Sequence, residues 1–390
     1  MTFRLALAAL VVAVPAAAFA QESTSDVISF LVVTPPAVQT GNPALDREAA
    51  QATRDTLSRA LLAALATQPL ASSSSGFTYR FNPTLGTMER SSGSFGPFFV
   101  ERAATAGTGR AALAMTFQYA SFTHLDGMDL RDGTMVTASN RFVDEQEAFD
   151  VETLRLELRA ASMTVTGSYG VTDRVDIGVA VPFISLSVDG WRTDTYRGTQ
   201  FQQIAASASS VRLGDLLGRV KVNVAQGSAG GFSIGADVRV PTGAEEDMAG
   251  AGRSGQRVFA VASAGSGPVT SHFNVGISRG GVSSGFDFGA AVAGSPAPRV
   301  TLVGEVIGHR LSDIFRIAPL LAPHPTISGV ETFRLIEGER TLTSLMGSVG
   351  MKWNLSNEWL LSAHVLLPLT NGGLTGRFVP SVSLEYNLGR

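Results

Sequence analysis

The chain contains no cysteine among its 390 residues, and only 16% of its residues are charged. Without cysteine, an exported protein has no disulfide framework to support its fold. The net charge of -3 and the lack of any basic block argue against a nucleic-acid partner. Beyond the first twenty residues, no uninterrupted apolar run approaches the roughly 20 residues that a transmembrane helix needs. The sequence therefore excludes a helical membrane protein.

The first twenty residues have the three parts of an export signal. Arg4 provides a short positive region, residues 5–14 form an apolar stretch, and the sequence AFA at residues 18–20 is a small-x-small cleavage site. We expect cleavage after Ala20, so that the mature chain begins at Gln21. An exported chain of this kind is either a secreted or periplasmic β-rich protein or a transmembrane β-barrel, whose strands need only about 10 residues each.

The stretch 167–188 shows the alternation of a β-strand. From Val175 to Phe183 every second residue is apolar, and the residues between them are small or charged. Twelve alternating segments follow Gly109, and bacterial barrels require an even number. These segments span residues 110–123, 151–169, 174–188, 211–225, 231–241, 256–264, 268–278, 285–294, 299–310, 343–354, 358–368 and 378–388.

The connections between these segments alternate in length. Every second connection is a short turn, and the connections between those turns are mostly long, with 279–284 as the modest exception. Tight periplasmic turns and long external loops are typical of an up-and-down outer-membrane barrel, whereas a soluble sandwich has no reason to sort its loops. The long connections are predicted at residues 124–150, 189–210, 242–255 and 311–342.

Nearly every charge within these strands falls on one parity, although 256–264 shows no clear parity. If the more apolar parity faces lipid, the other parity faces the lumen, because Arg or Lys facing lipid at mid-bilayer costs about 2–4 kcal/mol. The mixed signs argue against strong ion selectivity, since no ring of one sign appears. In 151–169 the apolar parity changes, which predicts a bulge near Ala160. The predicted lumen-lining residues are Asp176, Arg219, Lys221, Asp237, Arg239, His272, Asp287, Glu305, His309, Lys352, His364 and Glu385.

Residues 21–108 read differently from the strands that follow. Asn42 before Pro43 is typical of a helix start, and a helix from there should end before Pro69. Periodicity alone leaves two interpretations open, a surface helix packed on the protein body or a plug inside the barrel. The residues that share one face of this helix, and would form the plug, are Leu57, Leu61, Leu62 and Leu65.

Three prolines lie at similar distances from the predicted short turns. Pro182, Pro241 and Pro368 each lie 9 to 11 residues beyond a turn, roughly 20–30 Å above it at about 3.3 Å per residue. Each removes a backbone donor, so we expect the strands to kink or part at this outer rim. The alternative is that strand pairing simply ends there.

Short matches to catalytic and metal motifs lack the context that these motifs need. The sequence GAGRSG at 250–255 has dinucleotide spacing without a βαβ unit, and 281–285 has nucleophile-elbow spacing in a hairpin loop. Ser362 near His364 or His272 keeps an outer-membrane hydrolase open as a rival. The acidic loops at 126–132 and 245–247 have no regular ligand spacing, so we predict neither a metal site nor a cofactor.

Six segments of the chain carry a resemblance to a known family: SFGPFFVERA (94–103), FTHLDGMDLRDG (122–133), YGVTDRVDIGVAVPF (169–183), LGDLLGRVKV (213–222), VRVPTGAEEDMAGAG (238–252) and LLPLTNGGL (366–374). In order and spacing they resemble the outer-membrane transporter family assigned to the meta-pathway of phenol degradation. The resemblance covers most of the chain from about Gly76 and implies an outer-membrane barrel related to channels for fatty acids and aromatic hydrocarbons, with no cofactor and no catalytic residues. One departure is the C-terminus, which lacks the final aromatic residue that barrel assembly machinery commonly recognises.

These observations predict an all-β protein, a transmembrane antiparallel up-and-down barrel of about twelve strands in a Gram-negative outer membrane. We expect a signal peptide at 1–20, an N-terminal helical and extended segment at 21–108, and the barrel at 109–390. The expected function is passive passage of small hydrophobic or aromatic molecules, with outer-membrane lipid, the permeant and the barrel assembly machinery as partners. A structural or surface-interaction protein without transport is the main alternative, and the hydrolase is the lesser one.

Overall fold

The computed structural model describes residues 23–33, 38, 40–66, 72, 76–82, 87–90, 93–227, 229–266, 268–314, 316–339, 341–356 and 358–388. The predicted signal peptide and its cleavage site lie outside these residues. Two helices come first, α1 (Thr24–Val33) and α2 (Pro43–Ala66), followed by a hairpin of β1 (Tyr79–Asn82) and β2 (Thr87–Arg90). None of the helices in the described residues is long and apolar enough to cross a membrane.

Twelve strands form a closed antiparallel barrel. They are β3 (Ala111–Leu125), β6 (Asp150–Thr172), β7 (Val175–Tyr196), β9 (Leu216–Gln226), β10 (Gly230–Val240), β11 (Gly255–Ser266), β12 (Val269–Gly280), β13 (Gly285–Ala297), β14 (Val300–Ser312), β17 (Thr341–Asn354), β18 (Trp359–Pro368) and β20 (Val379–Leu388). Each pairs with its neighbours in this order, and β20 pairs with β3 to close the ring. The predicted twelve-stranded barrel is confirmed, and each predicted segment corresponds to one strand.

The two ends of the barrel differ as the sequence predicts. At one end, which we call the short-turn end, the strands are joined by residues 173–174, 227–229, 267–268, 298–299 and 355–358. The barrel also begins and ends there, with Ala111 opposite Leu388. The connections at the other end, the long-connection end, are much longer except for 281–284 between β12 and β13.

The long connections contain strands of their own, which the sequence analysis missed. They are β4 (Met128–Asp129), β5 (Val136–Phe142), β8 (Thr199–Leu213), β15 (Ile317–Pro323), β16 (Val330–Glu337) and β19 (Leu374–Gly376). Four of them join the far halves of β6 and β7 in an open sheet, ordered β15-β16-β5-β6-β7-β8. We call this sheet the extension. Its outer face is largely polar, so the alternation that identified the barrel strands fades here.

The predicted bulge near Ala160 is wrong. The register between β6 and β7 continues unbroken past Ala160, and the even-numbered residues of β6 face inward on both sides of it. The apolar parity changes because the inward residues of β6 contact different segments along the strand. Leu154, Leu156 and Leu158 point inward and pack against the N-terminal helices.

The two helices pack against the inward face of the extension, α1 on β7 and β8 and α2 on β16. Asn42 caps α2 as predicted, because its Oδ1 accepts hydrogen bonds from the backbone N–H groups of Ala44 and Leu45 at 3.2 and 3.4 Å. Leu57, Leu61 and Leu65 are buried, and Leu62 is partly buried against the same apolar cluster. The helices therefore fill the extension, beyond the long-connection end of the closed barrel.

The three rim prolines behave in two ways. Pro241 directly follows β10 and Pro368 is the last residue of β18, so these strands end there. At Pro182, β7 does not part from β6 and continues to Tyr196. The carbonyl of Pro182 accepts from Gly214 N at 2.7 Å on the side away from β6. The missing N–H faces that same side, where the partner of β7 changes from β9 to β8, so no bond to β6 is lost.

A belt of apolar side chains surrounds the closed barrel on its outer face. A strand of 11 residues such as β9 spans roughly 28 Å at about 3.3 Å per residue and a tilt of about 40°, close to the hydrocarbon thickness of a bilayer. A belt this large is not compatible with water and fits lipid. Its exposed members include Leu113, Met115, Phe117, Ile177, Val179, Phe183, Val220, Val222, Val258, Ile277, Val292, Val349, Val382 and Leu384.

The belt predicts a depth-dependent cost for an outward charge. Val349, 60% exposed near the middle of β17, should cost about 2–4 kcal/mol of unfolding free energy as Val349→Arg, whereas Thr343→Arg near the rim should cost about 0–1 kcal/mol. The measurement is urea unfolding in lipid vesicles. Equal costs for the two variants would contradict a bilayer at this level.

Candidate functional site

Residues 93–108, which we call the strap, cross the lumen of the barrel near the short-turn end. The strap has no regular secondary structure, and wall side chains supply partners for its backbone groups. Glu305 accepts the N–H of Phe98 at 2.5 Å, and Lys352 Nζ donates to the carbonyl of Pro97 at 2.6 Å. The strap is thus hydrogen-bonded to the wall as an internal ligand would be.

The middle of the strap is held by three polar residues of β9 and β10. Lys221, which is fully buried, donates to the carbonyls of Arg102 and Ala104, each at 3.1 Å. The carbonyl of Ala103 accepts from Asn223 Nδ2 at 2.8 Å and from Ser233 Oγ at 2.6 Å. The carbonyls of three consecutive strap residues therefore accept hydrogen bonds from inward-facing side chains of the neighbouring strands β9 and β10.

The far end of the strap is fixed where the chain enters β3. Asp176 accepts the N–H of Ala106 at 3.1 Å through both of its oxygens. In the adjoining short turn, Asp173 accepts from the hydroxyl of Thr108 at 2.6 Å and from its N–H at 3.0 Å. These hydrogen bonds hold the pKa of Asp173 below its ordinary value.

Glu101 of the strap is the centre of an ion-pair network that the sequence analysis did not identify. It contacts Arg219 and lies 3.5 Å from Lys221. Arg219 also pairs with Asp237 at 2.6 Å, and Arg257 then links Asp237 at 3.1 Å to Asp287 at 2.5 Å. The network runs from the strap across four strands of the wall. Arg257 and Glu101 are the members that sequence reasoning missed.

The inward histidines form no catalytic triad in the described residues. His272 Nδ1 lies 2.8 Å from Ser263 Oγ, but its Nε2 contacts the hydroxyl of Thr270 at 3.1 Å and not a carboxylate. His364 stacks on Phe98 with ring centroids 4.2 Å apart, and neither of its ring nitrogens has a hydrogen-bond partner, so no bond to Ser362 exists. A hydrolase needs a serine, a base and an orienting acid together, and the described residues do not assemble that set.

The remaining predicted lumen residues divide between two places. Glu385 accepts the N–H of Gly76 at 2.8 Å, so it holds the N-terminal segment at the short-turn end. Arg239, Asp287 and His309 line a cavity on the other side of the strap. Every predicted lumen residue belongs to an inward parity, and most of them contact the chain's own N-terminal segment.

The cavity lies between the strap and the long-connection end, with a volume of about 220 Å³. Phe99 and Val100 of the strap form part of its floor. Ala66 at the end of α2, Ala251 of the connection 241–254 and residues 281–283 of the short connection line its outer side. Its inward-facing apolar wall residues include Leu217, Ile307 and Leu311, and its inward-facing charged ones include Arg219, Arg239, Arg257, Asp237, Asp287 and His309.

Charged residues hold helix α1 at both ends. Asp247 accepts from the N–H of Thr24 at 3.4 Å, at the positive end of the helix dipole. At the negative end, Arg192 donates to the carbonyl of Leu31 at 3.2 Å and lies 3.5 Å from Glu152. The extension therefore binds α1 by matched charge as well as by apolar packing.

Asp150, which lies near Glu152, should make the stability of the extension depend on pH. The pKa of Asp150 is raised to about 7, and burial is the largest cause. Charge repulsion by Asp194, a hydrogen bond with Asp194 and charge repulsion by Glu152 contribute to the same rise in pKa. A raised carboxyl pKa means that the folded state holds a proton that the unfolded state releases, so stability falls as pH rises from about 4 to about 7. Asp150→Asn should flatten this slope.

The reporter for this prediction is Trp191 of β7, in a background with Trp353→Phe and Trp359→Phe. The urea midpoint of its fluorescence is followed from pH 4 to pH 8. Asp144→Asn, a change of an exposed acid in the neighbouring connection, should leave the slope as it is in the parent. A slope that survives in Asp150→Asn would assign the pH dependence to another group.

Removing the buried cation of the strap site should release the strap. Lys221→Met leaves Glu101 and Asp176 without this partner, and breaking a buried ion pair costs about 3–5 kcal/mol. We expect trypsin to cleave after Arg102 at least tenfold faster in the vesicle-reconstituted variant. Arg174→Met, at an exposed turn position, is the matched control. Equal resistance in Lys221→Met and the parent would show that Lys221 does not hold the strap.

No protein-family model and no curated protein sequence matches the chain, so the family predicted from the sequence has no matching model here. Solved structures align with it at low sequence identity. An outer-membrane channel from Pseudomonas putida F1 aligns with a TM-score of 0.45 at 10% identity, over 73% of this chain and 98% of that one. A Pseudomonas aeruginosa FadL homologue has a TM-score of 0.33 at 9% identity, over 71% and 90% of the two chains. The CymD monoaromatic hydrocarbon channel has a TM-score of 0.28 at 8% identity, over 73% and 90%. The description of the barrel therefore rests on the strand pairing of this chain itself.

Proposed function

We propose that this protein is an outer-membrane β-barrel channel for small hydrophobic or aromatic molecules, and that the strap is its gate. The observation that carries the proposal is the cavity of about 220 Å³, open towards the long-connection end and floored by Phe99 and Val100 of the strap. A permeant can reach this cavity from outside the cell. It proceeds to the periplasm when the strap moves.

The apolar belt and the two unlike ends support the location. A closed barrel with an apolar outer face leaves no strand edge exposed to lipid. Short turns on the periplasmic side and long connections on the external side give the orientation. The predicted export signal fits a Gram-negative outer membrane.

The size and lining of the cavity support a one-ring aromatic or similar permeant. A cavity of about 150 Å³ lined by apolar side chains holds benzene, so about 220 Å³ accommodates a substituted ring. Leu217, Ile307 and Leu311, on inward positions of the wall, provide its apolar contacts together with Phe99 and Val100 of the strap. The resemblance to a family assigned to phenol degradation agrees with this size class.

The bonds that hold the strap suit a gate that opens without an energy source. They are mostly hydrogen bonds and ion pairs, and water entering the lumen can replace them one by one. Passage is then passive and follows the concentration gradient. The described wall and strap do not join a serine, a base and an acid, so we do not propose hydrolysis.

A reversible disulfide between strap and wall tests the gate. Ser94 Oγ and Thr270 Oγ1 lie 2.9 Å apart, and the parent chain has no cysteine to compete. When Ser94→Cys/Thr270→Cys is oxidised in proteoliposomes, toluene entry should fall at least tenfold, and a reductant should restore it.

The matched control joins two wall strands and leaves the strap free. Thr116 Oγ1 and Ser383 Oγ also lie 2.9 Å apart, between β3 and β20. Oxidised Thr116→Cys/Ser383→Cys should pass toluene like its reduced form. Unchanged entry through the oxidised strap variant, with the disulfide verified by mass spectrometry, would refute the strap as gate.

A further inference from the structure

One cation of the described barrel wall, Arg239, differs in its surroundings from four other inward cations. Arg219, Arg257, Lys221 and Lys352 each have carboxylate or carbonyl partners. Arg239, on the inward face of β10, makes no hydrogen bond or ion pair with any residue that the structure describes. Its guanidinium faces cavity space.

The two carboxylates whose charge acts on Arg239 are those of Asp237 and Asp215, and both are bound by other groups. Both oxygens of Asp237 contact Arg219, and one of them also contacts Arg257. The oxygens of Asp215 accept the N–H groups of Gly243 at 3.1 Å and Ala251 at 2.9 Å. No carboxylate of the described wall is therefore available to turn towards Arg239 without losing its own bonds.

Arg239 stands between the main cavity and a side cavity of about 40 Å³. The two cavities share Arg239 and Ala66 in their linings. The side cavity lies under the end of α2, against Leu62 and Leu65. A buried water needs about 10–15 Å³ by this measure, so the side cavity has room for a group of three heavy atoms.

A second unsatisfied donor lines the side cavity. Gln118, on the inward face of β3, is 6% exposed, and its Nε2 has no hydrogen-bond partner in the described structure. A buried donor without a partner costs about 1–3 kcal/mol, so such a group calls for a ligand or water. Two side-chain donors without partners in the described structure, those of Arg239 and Gln118, thus border one small cavity.

From this arrangement we infer that the permeant is a small hydrophobic monocarboxylate. Its ring or chain lies in the main cavity, and its carboxylate enters the side cavity, where Arg239 binds it through its two-pronged donor geometry and Gln118 donates a further hydrogen bond. This inference rests on the proposed function and names the class of molecule that the channel takes. An uncharged hydrocarbon would fill the main cavity and leave both donors unpaired.

The test compares benzoate with toluene, which share a ring and differ in the carboxylate. Calorimetry on the full-length protein in detergent should show benzoate binding about tenfold to a hundredfold more tightly than toluene, as a charge-assisted pair implies. Arg239→Met should remove this difference and leave toluene binding as it is. Gln118→Leu should weaken benzoate by a few fold only.

The variants are chosen so that misfolding does not confuse the result. Arg239 has no partner to leave behind, so Arg239→Met should unfold at the same urea concentration as the parent, and toluene binding reports that the cavity is intact. Arg174→Met at the exposed turn is the matched loss of an arginine. Benzoate binding equal to that of toluene, or unaffected by Arg239→Met, would overturn the subsite.

Binding and passage are measured separately, so the two proposals fail separately. A barrel that binds benzoate through Arg239 but lets neither compound into proteoliposomes keeps the subsite and overturns the channel. A barrel that passes toluene but shows no preference for benzoate keeps the channel and overturns the subsite. A barrel that neither binds nor passes either compound overturns both.

Discussion

The structure depends on one constraint, which is that a chain without regular secondary structure inside a barrel must find partners for its backbone groups. The strap solves it with wall side chains. Its carbonyls require donors, supplied by Lys221 and Lys352, and its N–H groups require acceptors, supplied by Asp176 and Glu305. This requirement explains the mixed signs of charge on the inward parity, because donors and acceptors are both needed along one segment.

Two different segments occupy the interior, the strap in the closed barrel and the helices in the extension. The inward residues of the wall differ accordingly. Inside the closed barrel the strap is bound by polar and charged residues, whereas inside the extension the helices pack against leucines. Strand β6 shows both patterns on one face, with Thr164 in the barrel part and Leu158 and Leu154 in the extension.

The barrel could be predicted from the sequence because the outer face of each strand meets the same apolar surroundings. Apolar residues therefore recur at every second position. Arg257 was missed because that alternation fails on β11. Phe259 and Val261 face inward and pack on Ala103 of the strap, so both faces of the strand are apolar. Glu101 was missed because the strap has no period, and only contact with Arg219 reveals its role. Strand β8 carries no period-two signal in the sequence, because neither of its faces meets lipid along most of its length.

The path of the chain has a consequence for the order of assembly. Helix α2 ends at Ala66 beside the main cavity, near the long-connection end. Ser72 N donates to the carbonyl of Phe98 in the strap. Glu385 accepts the N–H of Gly76 at the short-turn end. The N-terminal segment thus runs lengthwise through a ring that is sealed where β20 pairs with β3. A folded 24-residue helix is too bulky to follow the strap through a lumen that side chains fill. Assembly therefore takes one of two orders: the seam between β3 and β20 closes around the segment, or α2 folds only after the chain has threaded the ring.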